Sequence, residues 1–402
     1  MAAASSPYQK TTAERFMPTG FPQRPSRDRL EASYHECRIY SCSSLRTVLK
    51  STRFMDAHAL VQANLDDLAI LEVSGPDAAA FLQSQLTQDI SSGSPWRAQL
   101  AGYCSAKGRL LASMIVWQGA AHPDAFFLLL KRDIAVDVAT RLARFVLRAR
   151  VVITHAPTRV AGVMLSTTDG AGKSLAANGF PLRQLVTWND DQPSHFPERL
   201  LTTPFQPYSI VHDARETWIA APIGRVDTRR WWRIGATTAV PAPRATDSED
   251  GAGADPTPPA QYWQASDITA GLGWVVAATQ ELFIPQTLNF DLAGGLSFTK
   301  GCYPGQEIVA RSHYRGTIKR RMARGTVLAP SAAPIRAQPA ADVYTDTHSD
   351  APRGRVINVA QLAGRTEILF EASLADFACS NFRLSAAGGP AIELATLPYA
   401  VA

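Results

Sequence analysis

Between residues 68 and 154, strand-length apolar runs alternate with two helix-length amphipathic stretches, a pattern that neither an all-helical nor an all-β chain produces. The run at 68–73 ends in Gly75-Pro76-Asp77, a turn that sets Asp77 to cap a helix over 78–90 carrying Phe81, Leu82 and Leu86 on one face. Strands at 100–104 and 110–117, joined by Ser105-Ala106-Lys107-Gly108, read as a hairpin. A strand at 126–131, a helix at 134–147 and a strand at 151–154 complete a β-α-β-β-α-β-like order.

A second, weaker round follows, with a strand at 160–166, a short helix at 172–178 and strands near 184–188, 209–212 and 217–220. A helix is expected over 225–237, packing Trp231 and Trp232. The Pro-, Ala-, Gly- and Asp-rich stretch 239–260 reads as a linker. Beyond Gly325, short β-like runs at 326–328, 342–345, 354–358, 367–371 and 382–384 predict a small β-barrel or sandwich. The expected organisation is an extension over 1–54, α+β domains over 55–155 and 156–324, and a β-barrel over 325–402.

Composition narrows the classes. No run reaches the ~20 apolar residues of a membrane-spanning helix. The five cysteines, Cys37, Cys42, Cys104, Cys302 and Cys379, form no Cys-x-x-Cys pair, which argues against a disulfide framework and for a reducing cytoplasm. Of 40 Lys/Arg and 35 Asp/Glu, nine and four lie in the 1–54 extension, leaving 31 of each in the body. A neutral body argues against direct nucleic-acid binding as the main activity. The extension is Ser- and Arg-rich like a transit peptide, but Glu14, Asp28, Glu31 and Glu36 favour a disordered segment, with Met55 an alternative start.

The densest chemistry lies at 298–311, where Lys300, Gly301, Cys302, Tyr303, Pro304, Gly305, Gln306 and Glu307 run in sequence. Two glycines and a proline around a cysteine and an aromatic specify a tight turn leading into a helix near Pro304. Cys302 would then sit near a helix N-terminus with Lys300 and Arg311 close by, conditions that favour a thiolate. A buried cysteine acting as a small hydrophobe fits the same spacing. From 308 to 341 there is no acid, while Arg311, Arg315, Lys319, Arg320, Arg321, Arg324 and Arg336 recur, either as a polyanion site or as an edge paired with acids elsewhere. His313 and His348 have no partners at metal-ligand spacing, so no metal site is expected.

Lys-Gly-Cys-Tyr-x-Gly-Gln-Glu at 300–307 resembles the signature of the YgfZ-type family, which is folate-binding and glycine-cleavage-T-protein-like. The resemblance extends to Phe283-Ile284-Pro285-Gln286, Leu288-Asn289-Phe290 and Tyr314-Arg315-Gly316, and more thinly to Leu65-Asp66-Asp67, to Phe81-Leu82-Gln83, and to Cys104 with Lys107-Gly108-Arg109. It implies a T-protein-like three-domain ring of two ferredoxin-like units plus a small C-terminal barrel, with tetrahydrofolate or a derivative at its centre. Cys302 would be the working thiol, and Trp263, Arg311, Tyr314 and Arg315 would contact the folate. Leu68 stands where a second tryptophan is expected, Thr269-Ala270-Gly271 replaces the Glu-Ala-Gly turn of the aminomethyltransferase cousins, and the 104–109 turn lacks their carboxylate.

The function this implies is a cytoplasmic accessory protein that binds a reduced folate and supports iron–sulfur cluster assembly or repair in client enzymes, tRNA-modifying enzymes among them. Its partners would be iron–sulfur client or assembly proteins. A folate-dependent aminomethyl or one-carbon transferase is the alternative, and RNA binding through 311–336 a further one.

Overall fold

Among the residues of this computed structural model, those described run from 58 to 401, except 168–196, 198, 203, 214, 215, 227, 236–256, 317, 329–336, 349, 380 and 387. All fall within the unit Asp56–Ala402. The 1–54 extension, the helix and strand expected at 172–178 and 184–188, most of the 239–260 linker and Arg336 lie outside the described residues.

Uninterrupted apolar runs become four strands buried along nearly their whole length, while the edge strand Val152–His155 is mostly exposed. In the first sheet, β2 (Leu68–Ser74), β3 (Gln99–Cys104), β4 (Leu110–Gln118), β5 (Ala125–Lys131) and β6 (Val152–His155) lie in the order β3-β4-β5-β2-β6. All their pairings are antiparallel. Helices α1 (Ala78–Gln85) and α2 (Arg132–Ala143) pack on this sheet through Phe81, Leu82, Ile134 and Val138. The order is ferredoxin-like with one additional edge strand, β3.

Both helices are shorter than the periodicity predicts. Helix α1 stops before Leu86, which turns extended (φ −100°, ψ 158°) and bridges to Tyr103, so the end of the expected helix is drawn into the sheet edge. Asp77 does sit at the N-cap position, but its side chain makes no cap bond. Its Oδ2 accepts instead from the Arg150 backbone N–H at 2.8 Å and from the guanidinium at 3.2 Å, bonds that lower its pKa.

The second sheet combines β7 (Arg159–Thr167), β8 (Ile210–His212), β9 (Glu216–Ala220) and β10 (Thr228–Gly235) with β1 (His58–Asn64), in the order β1-β7-β10-β9-β8. A single turn of helix, α3 (Arg199–Thr202), precedes β8, and α4 (Pro259–Thr269) follows β10. Position by position this repeats the first sheet's topology, with one exchange. The strand that should follow α4 and pair with β7 is supplied by β1, from the start of the described chain. The two α+β units are therefore related in topology, and the second is completed by residues that precede the first.

The segment expected as a helix over 225–237 is instead the central strand β10, paired with both β7 and β9. Alternation explains it. Trp231 faces one core with Val163, Leu200 and Ala220, while Trp232 and Ile234 face the other. Arg230, on the Trp232 side, is 1% exposed and donates to Ser266 Oγ at 2.6 Å and to Asp267 Oδ1 at 2.5 Å. A fully buried arginine hides a period-two pattern from any reading that counts arginine as outward.

The C-terminal part is a closed six-stranded barrel, β11 (Arg320–Leu328), β14 (Arg365–Ser373), β13 (Gly354–Leu362), β12 (Asp342–Thr345), β15 (Phe382–Leu384) and β16 (Ala391–Ala395), in that order around the wall. Closure leaves no open edge. Strand β16 and a short helix α6 (Leu374–Cys379) are absent from the sequence expectation. The barrel interior holds Val343, Val356, Ile368, Phe370 and Phe382, while Ile357 and Leu369 join the main core.

Candidate functional site

The segment 298–311 is fixed from below before it presents anything above. Thr87 Oγ1 donates to Gly295 O at 2.7 Å and accepts from Gly102 N, while Ser297 N donates to Thr87 O at 2.9 Å. Lys300 follows, 8% exposed, its ammonium donating to the carbonyls of Gln83, Leu86 and Gln88 at the end of α1. The Gln83 carbonyl is one that a helix C-terminus leaves without a partner and those of Leu86 and Gln88 follow just beyond the helix, so Lys300 acts as a cap supplied from a segment far along the chain. Burial brings its pKa down to about 8. The Tyr303 ring, 7% exposed, lies 5.2 Å from the ammonium.

Helix α5 (Gln306–Tyr314) begins just beyond Pro304, with Gly305 as N-cap at φ 78°. A Cβ on Gly305 would lie 2.4 Å from Ser105 O, and one on Gly108 (φ 68°) would lie 2.9 Å from Ile308 Cβ. Two glycines thus let the 105–108 hairpin turn and the start of α5 touch backbone to backbone. Gly301 differs, with no atom within 4 Å of its Cβ position. Val309 anchors the helix in full burial, and its carbonyl accepts from Gln286 Nε2 at 2.7 Å.

On this base Cys302 is exposed, which removes the reading of it as a buried small hydrophobe. Lys300, expected to polarise the thiol, is committed to three carbonyls instead. Cys104, beneath the turn, is the buried cysteine, and burial pushes its thiol up to about 12. Glu307, Arg311, Tyr314 and Arg315 are exposed, and Gln306 is half-buried. Tyr314 packs edge-on against Phe298 and His313, which stack at 4.0 Å.

The basic run divides. Arg320 pairs with Glu371, buried Arg321 with Asp291 at 2.6 Å, and Arg324 with Glu367, so these are cations matched by acids. Arg311, Arg315 and Lys319 have no ion-pair partner among the described residues.

Trp263 is not beside Cys302 in any contact and offers no face for stacking. It is 2% exposed, a Cβ on Gly162 would lie 2.3 Å from its ring, and the Arg230 guanidinium sits 4.9 Å from its centroid. Its indole N–H, like that of Trp232 against which it packs edge-on, is buried without an acceptor. Leu68 is equally a core residue. The Thr269 hydroxyl is spent on Ala265 O at 2.8 Å, and Gly271 O accepts from the Tyr399 hydroxyl at 2.9 Å. The positions that the resemblance assigns to the pterin are therefore closed by the chain's own groups.

A cavity of about 450 Å³ lies on another face of α4, lined by Asp67, Lys131, Gln264, Ile268, Trp274 and Val359 among others. Lys131 Nζ bonds Asp67 Oδ2 at 2.5 Å, and Gln264 Nε2 reaches the same oxygen at 3.2 Å. Asp267, in its wall, also takes Trp274 Nε1 at 3.0 Å; burial raises its pKa against the pull of Arg230 and Lys131. None of Cys302, Arg311, Tyr314, Arg315 or Trp263 lines this cavity. Sequence reasoning missed it because its polar groups come from segments distant in the chain, around 67, 131 and 264. The one local signal was a lysine ending the otherwise apolar strand Ala125–Lys131.

Among the described residues, no helix is long and apolar enough to cross a membrane, and no three His, Cys, Asp or Glu side chains gather as metal ligands would. No family model matches the chain. Among solved structures it is similar to the glycine cleavage system aminomethyltransferase T from Bartonella henselae, with a TM-score of 0.55 and 13% identity over 85% of this chain and 87% of that one. At that identity the likeness establishes a T-protein-like fold, with its mixed sheets and small C-terminal barrel.

Proposed function

We propose that this chain is a folate-binding accessory protein of the YgfZ type, which supports iron–sulfur cluster assembly or repair in client enzymes, including tRNA-modifying enzymes. The observation that carries the reading is the presentation of Cys302. One exposed thiol stands on a turn held from beneath by Lys300, Tyr303 and the Gly305–Gly108 contact. A single cysteine cannot retain a cluster, which takes four ligands. It can lend one ligand, or a thiol, to a site completed by a partner, and solvent exposure is what that role needs.

The T-protein-like fold supports tetrahydrofolate or a derivative as the ligand. The side chains that the resemblance marks for the pterin do not fit it, since Trp263 is packed on both faces and Thr269 bonds its own helix. No step is therefore routed through the folate. Arg311 and Arg315, exposed and without an ion-pair partner among the described residues, are the cations of the signature helix available to an anionic partner.

The test is complementation. In cells lacking the protein, the activity of an iron–sulfur-dependent tRNA-modifying enzyme is restored by wild type and, on this reading, not by Cys302→Ser at equal abundance. Equal rescue by both would remove the thiol from the function, and rescue by neither would remove the iron–sulfur role.

The fold favours a second reading, a folate-dependent aminomethyl or one-carbon transferase. Against it, the 104–109 turn offers an exposed Lys107, an Arg109 bonded to Leu282 O, and no carboxylate for general acid–base work. Turnover of an aminomethyl donor with tetrahydrofolate would establish it.

A further inference from the structure

We propose that the turn joining α2 to β6 docks on an anionic lipid surface, with Phe145 and Leu147 entering the acyl region and Arg144 and Arg148 meeting the headgroup phosphates. This lies beyond the proposed function and does not rest on it.

The sequence of the turn sets it apart. Arg141, Arg144, Arg148 and Arg150 fall within ten residues, and from 138 to 168 there is no acid. The structure divides these cations. Arg141 is held by Asp137 at 2.7 Å and Arg150 by Asp77 at 3.2 Å, whereas Arg144 and Arg148 are exposed and have no ion-pair partner among the described residues. Close to them in the chain stand Phe145, Leu147 and Val152, which are 51%, 86% and 60% exposed. A lone exposed leucine needs no explanation, but three large apolar side chains within eight residues of chain do.

Their exposure is built into the backbone. Val146, Val151 and Ile153 pack inward against the main core, so the residues between and beside them point out. Turn hydrogen bonds run from Phe145 N to Leu142 O at 2.9 Å and from Ala149 N to Val146 O at 2.8 Å, and the far end is clamped where a Cβ on Gly75 would lie 2.1 Å from Arg150 O. Within this frame Leu147 takes φ 46°, in the left-handed region. Glycine or asparagine adopts that conformation at less cost, and either suits a solvated tip better. Leucine is therefore disfavoured there on both counts in water, and transfer into an apolar phase is what it gains.

Charge and shape select the occupant. A second copy of the chain would set Arg144 and Arg148 against like charge. A side chain as exposed as Leu147 stands out from the surface and lines no groove, so a protein partner would have to offer it a matching pocket. A bilayer needs none, since its interior accepts any apolar wedge and its headgroups offer phosphates to both guanidiniums. Peripheral contact of this kind requires no membrane-spanning helix.

Co-sedimentation of the full chain with vesicles of phosphatidylglycerol and phosphatidylcholine in equal parts tests this. Wild type is expected to pellet with them, and to pellet less with phosphatidylcholine alone or at raised salt, which screens the attraction. Leu147→Asn removes the wedge and relieves the backbone, so it is expected to bind roughly tenfold or more weakly at an unchanged or higher melting temperature. Arg144→Gln combined with Arg148→Gln is expected to lose roughly tenfold or more in affinity and most of the salt dependence. Vesicle binding that neither variant weakens would overturn the site. A wild type that ignores anionic vesicles would overturn the lipid assignment. Loss of complementation by Leu147→Asn would then give the turn to an acidic protein partner, and a dimer dispersed by that substitution in analytical ultracentrifugation would give it to a second copy.

Discussion

Lys300 concentrates the residue-scale physics of the signature. It is a buried cation whose three acceptors are main-chain carbonyls, so a substitution acts on α1 as much as on the turn that bears Cys302. Lys300→Met should cost about 1–3 kcal/mol at neutral pH, because buried carbonyls lose their donor. The pH dependence has a definite sign. Between about 8 and the ordinary lysine value of 10.5 the unfolded chain keeps a proton that the folded chain has released, so this group makes stability rise with pH across that window. Cys104 opposes it, since the unfolded thiol ionises from its ordinary 9.0 upward while the folded one holds its proton to about 12. Cys104 is present in both proteins, so its effect cancels in a comparison of wild type with Lys300→Met. Urea unfolding of the two between pH 7 and 10.5 should therefore show a difference curve that rises from about pH 8 and flattens near the top of the range. A flat difference would mean that the ammonium is not desolvated. The sequence made Lys300 and Cys302 legible as neighbours in a special turn, but which of them faces solvent depended on α1, far earlier in the chain. Trp263 shows the converse, since an aromatic in a familiar setting gives no sign that a glycine at 162 leaves room for its ring.

At the scale of elements, the contact between the 105–108 turn and α5 is made of two glycines with left-handed φ. Gly305→Ala should cost more than about 2 kcal/mol, from left-handed strain plus overlap with Ser105 O. Gly301→Ala, with open space at its Cβ position, should fall within about 0.5 kcal/mol of wild type. Hydrogen exchange should separate them, the amides of 303–309 losing protection in Gly305→Ala alone. Equal behaviour of the two variants would deny the contact its anchoring role. Element type was legible wherever burial and polarity agreed, as in the three strands from Gln99 to Lys131 and in most of the barrel. It failed at β10, where Arg230 is internal, and at the end of α1, where Leu86 leaves a helical pattern to pair with Tyr103. In both places a tertiary contact overrode the local period.

Across the whole molecule, Arg230 and Asp267 join the second sheet to α4, and through Trp274 to the segment that crosses the first sheet and the barrel. Both side chains are at most 5% exposed. Arg230→Met should cost about 3–5 kcal/mol by stranding a buried carboxylate, whereas Arg230→Met combined with Asp267→Asn should recover much of that loss. Chemical denaturation of the double-mutant cycle measures it, and additive losses would show the pair to be uncoupled. The exchange of β1 into the second sheet has a consequence for how the chain is made. His58 pairs with Thr167 and Asn64 with Ala161, so on the ribosome β1 emerges roughly a hundred residues ahead of β7, its one partner strand among the described residues. At synthesis rates of about 5–20 residues per second it waits roughly 5–20 s with both edges bare, while the entire first sheet is translated and can close beside it. The nascent chain thus carries an exposed adhesive strand during that interval, and its yield in vivo should depend on whatever holds that strand until β7 arrives.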